Sequence, residues 1–146
     1  METIRSYFPD LYVPTPPTTL DIWGESVRAV GWIDSEHEFT KGTVAQEFLL
    51  ALNKHLENPF YIMDWMEGPR TCTLCQTSSA FGKMFIASDE IAYVVPQLIP
   101  HYVEKHSYQP PQEFIHAVLQ TPPDFDLIKS RVDKLRERGV VSVYGD

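Results

Sequence analysis

Two thiols and two imidazoles stand at spacings that suit a metal ion. Cys72-Thr73-Leu74-Cys75 brings both sulfurs onto one tight turn, and His101-Tyr102-Val103-Glu104-Lys105-His106 follows further along the chain. Zinc takes four tetrahedral nitrogen or sulfur ligands at ~2.0–2.3 Å, and two cysteines with two histidines form a common closed set. The two-residue gap between the cysteines and the four-residue gap between the histidines both fall in its usual range. The expected ligands are therefore Cys72, Cys75, His101 and His106, holding one structural Zn2+ per chain. With every position filled by protein, none is left for a zinc-bound water, so Lewis-acid hydrolysis is not expected. The competing readings of the cysteine pair are a redox couple and ordinary core packing. A thioredoxin-like pair needs a surrounding βαβ pattern and a helix opening at the first cysteine, and Cys72 has neither.

Elsewhere the chemistry is thinner. Asp34, Glu36, His37 and Glu38 form a dense acidic cluster that could hold a cation or supply a carboxylate pair, but such runs are far more often solvated loops. The spacing excludes an EF-hand, since neither the central glycine nor the final glutamate is in place. Lys129, Arg131, Lys134, Arg136 and Arg138 interleave with Asp126, Asp133 and Glu137, which suits a solvated helix face better than a nucleic-acid arm. His116 sits among apolar neighbours and reads as structural. Trp23, Trp32 and Trp65 read as core or interface anchors. The chain has no Gly-rich phosphate loop, no Gly-x-Ser-x-Gly elbow and no His-Glu-x-x-His. No catalytic residue is expected, and the chain reads as a non-enzyme.

The elements that must position the ligands can be read from periodicity. Thr43-Val44-Ala45-Gln46 has capping-box spacing, and Val44, Phe48, Leu52 and Leu56 recur every four residues, which predicts a helix over 43–57 ended by Asn58-Pro59. Ser26 to Ile33 is β-prone. Lys83–Ala87 and Ile91–Val95 read as two strands joined by Ser88-Asp89-Glu90 in a hairpin. A short helix with Pro100 in its first turn should carry both histidines. A five-residue step on an α-helix rotates by about 140°, so His106 needs a loosened last turn to face the same metal as His101. Pro110-Pro111 can open a helix reaching Leu119, with Phe114, Ile115, Val118 and Leu119 as its apolar face. Asp124 can cap a last helix that buries Leu127, Ile128, Val132 and Leu135 and ends near Gly139. Residues 1–20, with Pro9, Pro14, Pro16 and Pro17, read as an extended arm, and residues 60–70 as an aromatic-rich approach to the cysteines. The expected architecture is a single α+β domain over 1–146: a small antiparallel sheet, a zinc-clasped ββα unit over 70–107, and helices packed around them.

The order of a Cys-x-x-Cys turn, a hairpin and a helix bearing His-x4-His resembles a Cys2His2 zinc finger over residues 70–107, with Leu98 three residues before His101 at the position of the finger's core leucine. The stretch between the ligand pairs is about twice the ~12 residues usual in fingers, so the hairpin must be larger or irregular. The segment Val94–Val118 also resembles a group of small uncharacterised bacterial proteins. In these a Cys-x-x-Cys turn precedes His-Tyr-x3-His and a Tyr-x-Pro-Pro-x-x-Phe stretch, matched here by Tyr108, Pro110, Pro111 and Phe114. The likeness extends to Val30-Gly31-Trp32. It implies the metal site and no particular activity.

Bulk properties narrow the role. Twenty acidic against twelve basic residues give a net charge of −8. Phosphate neutralisation needs a basic surface, so nucleic acid is an unlikely partner for this chain. An acidic field suits a basic protein partner. No run approaches the ~18 apolar residues of a membrane span, and the first residues lack a signal-peptide pattern, so a cytoplasmic location is the expectation. The leading functional expectation is a small zinc-binding interaction protein, such as an immunity protein or antitoxin that neutralises a basic toxin. A zinc-dependent enzyme and a nucleic-acid-binding finger are the alternatives.

Overall fold

Lys83-Met84-Phe85-Ile86-Ala87 and Ala92-Tyr93-Val94-Val95-Pro96 are buried along their whole length. Strands without polar alternation need cover on both faces, and that requirement organises the molecule. The computed structural model describes residues 7–15, 20, 23–57, 60–62, 70–80 and 82–137. Its elements in chain order are β1 (Val27–Ala29), α1 (Gln46–Glu57), β2 (Phe60–Ile62), β3 (Arg70–Thr71), β4 (Ser79–Ala80), β5 (Lys83–Ala87), β6 (Ala92–Pro96), α2 (Ile99–His106), α3 (Gln112–Gln120) and α4 (Phe125–Glu137). This is an α+β architecture.

A four-stranded sheet has the order β1-β6-β5-β2. The central β5–β6 pair is an antiparallel hairpin, with Phe85 opposite Val94. Its connection is closed by Ser88, whose N–H donates to the Ile91 carbonyl at 2.9 Å and whose hydroxyl accepts from the Ile91 N–H at 3.1 Å. β1 joins β6 in parallel, with Val27 opposite Ala92 and Ala29 opposite Val94. The sheet is therefore mixed, where the sequence suggested an antiparallel one. The long excursion from β1 through α1 to β6 gives the chain room for the crossover that a parallel pair requires.

Strand alternation sends two sets of side chains to opposite faces. Met84, Ile86, Tyr93 and Val95 pack with Phe48 and Leu52 of α1, Ile99 and Tyr102 of α2, and Phe114 and Val118 of α3. Phe85, Ala87, Ala92 and Val94 pack with Val27, Ala29, Phe8, Leu20, Trp32 and, from α4, Ile128, Val132 and Leu135. Three helices thus cover one face, while α4 and the N-terminal segment cover the other.

Several elements differ from their sequence reading. The strand expected over 26–33 stops at Ala29, because Gly31 adopts φ +85°, which extended backbone does not allow. A side chain there would also collide, since a Cβ at Gly31 would lie 2.8 Å from Ile99 Cδ1. The helix expected from Thr43 begins at Gln46, with the Phe48 N–H bonded to the Ala45 carbonyl at 3.1 Å. The preceding segment is held extended against residues 107–109: Lys41 bridges Tyr108, and the Gly42 and Gln109 N–H groups donate to the Ser107 and Thr40 carbonyls, both at 2.9 Å. α3 turns Ala117 inward and leaves Leu119 exposed, in place of the apolar face expected to include Leu119. Asp124 does cap α4, accepting from the Leu127 N–H at 3.1 Å, although Leu127 itself is only half-buried. The described part of the proline-rich arm docks on the sheet edge, where Tyr12 bridges Ala29. The rest of that arm, the Asn58-Pro59 stop, the segment with Trp65 and the helix end at Gly139 lie outside the described residues. Among the described residues no helix is long and apolar enough to cross a membrane.

Candidate metal centre

The cysteine turn is shaped by backbone bonds. β3 and β4 pair antiparallel, Arg70 with Ala80 and Thr71 with Ser79, and so bring the two ends of the turn together. The Cys72 N–H donates to the Ser78 carbonyl at 2.9 Å, and the Gln76 N–H donates to the Cys72 carbonyl at 2.7 Å. Gln76 takes a left-handed φ of 60°. The result is a small knuckle with both thiols in one turn.

The histidines come from α2. Pro100 lies in its first turn, where a missing N–H breaks no helix bond. At the other end the helix widens. The Ser107 N–H bonds the Tyr102 carbonyl, with Ser107 in the left-handed region (φ 55°, ψ 29°). The Tyr108 N–H reaches the same carbonyl at 3.2 Å. A bond from residue 107 to residue 102 spans five residues rather than the α-helical four. This is the loosened turn that the five-residue histidine spacing requires.

Knuckle and helix meet sulfur to nitrogen. Cys72 Sγ lies 3.4 Å from His106 Nε2, and Cys75 Sγ lies 3.4 Å from His101 Nε2. The two imidazoles stand edge to face, with centroids 5.0 Å apart and planes at 74°. All four ligand atoms fall within 4.8 Å of one another. A tetrahedral ion with bonds of ~2.3 Å to sulfur and ~2.0–2.1 Å to nitrogen would have sulfur–nitrogen edges of roughly 3.6 Å, so the cluster has the size and donor chemistry of a metal site. Cys72 is fully buried and the other three are partly exposed. The Cys75 thiol is lowered to about 5, first by the Thr77 hydroxyl and N–H beside it and less by His106 and His101, with burial opposing. A thiol in that state is ionised at neutral pH, which is the form that binds metal.

Arg70 clamps the knuckle to the rest of the fold. Its Nη2 donates to the Ile33 carbonyl at 2.7 Å and its Nε to the Tyr102 hydroxyl at 2.9 Å. Its guanidinium lies 5.1 Å from the centre of the Trp32 ring, a cation–π distance. Trp32 is in turn fixed by its Nε1 donating to the Val94 carbonyl at 3.0 Å. Between the two cysteines, Thr73 Oγ1 accepts from the Ser35 N–H at 2.9 Å, tying the knuckle to the acidic loop. Neither anchor was evident in the sequence, because both contacts join residues more than thirty positions apart.

The other candidates separate from this centre. Among the described residues, the Cys72, Cys75, His101 and His106 group is the one set of three or more His, Cys, Asp or Glu close enough to hold a metal ion. In the acidic loop His37 Nδ1 bonds Asp34 Oδ1 at 2.7 Å, and the His37 ring stacks on Tyr7 at 3.7 Å. The loop and Leu74 line an open groove of about 620 Å³. His116 is exposed on α3. On α4, Lys129 pairs with Asp133 at 2.8 Å and Arg131 donates to the Ala87 carbonyl at 2.9 Å, so these two basic residues serve the helix and its docking. The finger likeness is limited to chain order. The cysteines sit in the turn that joins the strands of a separate two-stranded sheet, whereas the β5–β6 hairpin belongs to the four-stranded one. The extra length between the ligand pairs is occupied by β4, β5 and β6.

Residues 6–119 match a domain of unknown function, DUF7919. The chain belongs to this family. The DUF7919 region contains both cysteines and both histidines, the Arg70 clamp, the whole four-stranded sheet, α1, α2 and α3 as far as Leu119, and it ends before α4. No curated protein and no solved structure matches the chain.

Proposed function

We propose that this DUF7919 protein holds one structural zinc ion through Cys72, Cys75, His101 and His106, and that it works as a protein-binding module. The observation that supports the metal is the convergence of two sulfurs and two nitrogens within 4.8 Å, from a knuckle and a helix that are remote in sequence. Two sulfurs and two imidazole nitrogens favour zinc over hard, oxygen-seeking cations such as Mg2+ or Ca2+. Bound there, the ion joins the β3–β4 knuckle to α2, and with all four positions taken by side chains its role is to fix geometry. Elemental analysis of reduced protein tests this directly. About one zinc per chain is expected, and well under one refutes the site.

The partner in this reading is a basic protein. The net charge of −8 supports it, since such a field attracts cationic surfaces and repels phosphate. The job of an immunity protein or antitoxin, which masks a basic toxin, fits that chemistry. Steering by charge acts mainly on the association rate, so complex formation should slow as salt rises. Capture from the native host at low and high ionic strength is the test. Recovery of nucleic acid in place of protein, or chelator-sensitive turnover of a small substrate, overturns the binding role.

A further inference from the structure

The two cysteines are unequal in a way that metal binding alone does not require. Cys72 is fully buried within the core cluster that holds Tyr102, while Cys75 sits at the partly exposed rim. Both sulfurs belong to one turn already closed by backbone bonds on either side, and they lie within 4.8 Å of each other. An oxidant can therefore reach one sulfur from solvent, with the second waiting behind it on the same turn. The knuckle also has attachments that do not involve the metal, through Arg70 to Ile33 and Tyr102 and through Thr73 to Ser35. Loss of the ion would free α2 from the knuckle without detaching it altogether.

We infer that Cys72 and Cys75 form a peroxide-sensitive latch, in which oxidation to a disulfide releases the zinc and reduction allows it to rebind. The inference rests on the zinc reading above. The chemistry balances with hydrogen peroxide as the oxidant. Cys75 sulfur attacks one peroxide oxygen, the O–O bond breaks and hydroxide leaves, giving a sulfenic acid. Cys72 sulfur then attacks Cys75 sulfur and expels a second hydroxide as the S–S bond forms. The sulfur pair loses two electrons and the peroxide oxygens gain them, ending as water once protonated. Zinc, left with two imidazoles, dissociates, because two neutral nitrogens are a far weaker set than two thiolates with two nitrogens.

The test uses the full chain, loaded with zinc and exposed to hydrogen peroxide beside a metal-sensitive dye. One zinc released per chain is expected, with a Cys72–Cys75 disulfide in the mapped peptides and recovery of binding after a dithiol reductant. Cys75→His puts a third nitrogen in the fourth ligand position and removes the sulfur that peroxide meets first, so whatever zinc this variant binds should stay bound under the same exposure. If Cys75→His binds no zinc, the mapped disulfide in the parent decides. Zinc-loaded protein that keeps its metal under peroxide, or loses it with the cysteines oxidised irreversibly and unlinked, overturns the latch and leaves the zinc site standing. Protein that takes up no zinc at all overturns the site and the latch together.

Discussion

Replacing Cys75 by Ser removes one of the two sulfurs proposed to bind zinc and leaves the rest of the fold almost untouched, since Cys75 is partly exposed and packs only at the margin of the core. The size of the effect follows from what the metal holds. In isolated finger peptides structural zinc contributes about 10–16 kcal/mol, because without it nothing is folded. Here two apolar clusters lie on either side of the sheet, built mostly from residues outside the knuckle. Zinc should therefore stabilise by linkage, through its preference for the folded chain. That is about 4 kcal/mol when free zinc is a thousandfold above the dissociation constant, and less if the unfolded cysteines also bind. For a domain of this length this corresponds to a melting shift of roughly 10–15 °C.

The assay is thermal unfolding in metal buffers that set free zinc over several decades. For the parent, each tenfold rise in free zinc above the dissociation constant should add about 1.4 kcal/mol, or roughly 4–5 °C. Cys75→Ser should melt near the parent's chelated value and lose this slope at the same zinc levels. Its helical circular dichroism should persist below the transition, because the apolar clusters that pack α1, α3 and α4 are built mostly from residues outside the knuckle. Parent and variant melting alike, with and without chelator, would refute a structural metal.

Three further outcomes test the surrounding fold. Chelation should speed hydrogen exchange at the Ser35 N–H, whose acceptor Thr73 lies between the two cysteines, while amides of β5 and β6 keep their protection. Gly31→Ala should destabilise by about 1–3 kcal/mol in urea unfolding, because it combines φ +85° with a Cβ 2.8 Å from buried Ile99 Cδ1. The third concerns His55, which is buried with its Nε2 3.0 Å from the Thr121 carbonyl and has its pKa lowered by that burial from the ordinary 6.5. Its protonation opposes folding, so its contribution is complete above about pH 6.5 and is lost as pH falls toward the depressed folded value, by at most about 1.4 kcal/mol per pH unit. Urea titrations of chelated protein across that window should show the loss, and His55→Gln should reduce it.

What could be read from the sequence was what depends on residue type and short spacing. Cys-x-x-Cys and His-x4-His named the cluster because metal geometry restricts ligand identity, and the rotation between His101 and His106 foretold the widened end of α2. The hairpin, the cap at Asp124 and Pro100 in a first turn are likewise local. The readings that failed depended on distant partners. The start of α1 is set by the pairing of residues 40–42 with 107–109, which overrides a good capping box at Thr43. The parallel β1–β6 pair and the Arg70 clamp join segments whose proximity no short window reveals. Gly31 was visible only as a glycine in a strand-like run, a pattern that suggests a break without saying where the chain turns.

Why a domain with two apolar clusters would use a metal can be argued from the knuckle itself. Between Arg70 and Ala80 only Cys72 is fully buried, and Thr71, Thr73, Gln76, Thr77 and Ser79 are exposed. Fixing each residue of such a segment costs about 1–2 kcal/mol of backbone entropy, and a ribbon with two-residue strands offsets it through the buried Cys72 and the partly buried Leu74, Cys75 and Ala80. The Arg70 and Thr73 hydrogen bonds contribute about 1 kcal/mol each, and more where the guanidinium is charged, which leaves the turn marginal. An ion bound to Cys72, Cys75, His101 and His106 would add a direct tie between this turn and α2. Thr73 and Leu74 on that turn also contact or line the acidic loop over residues 34–38. On the proposed reading the zinc therefore orders the knuckle beside the acidic face and fixes the shape that a basic partner would meet.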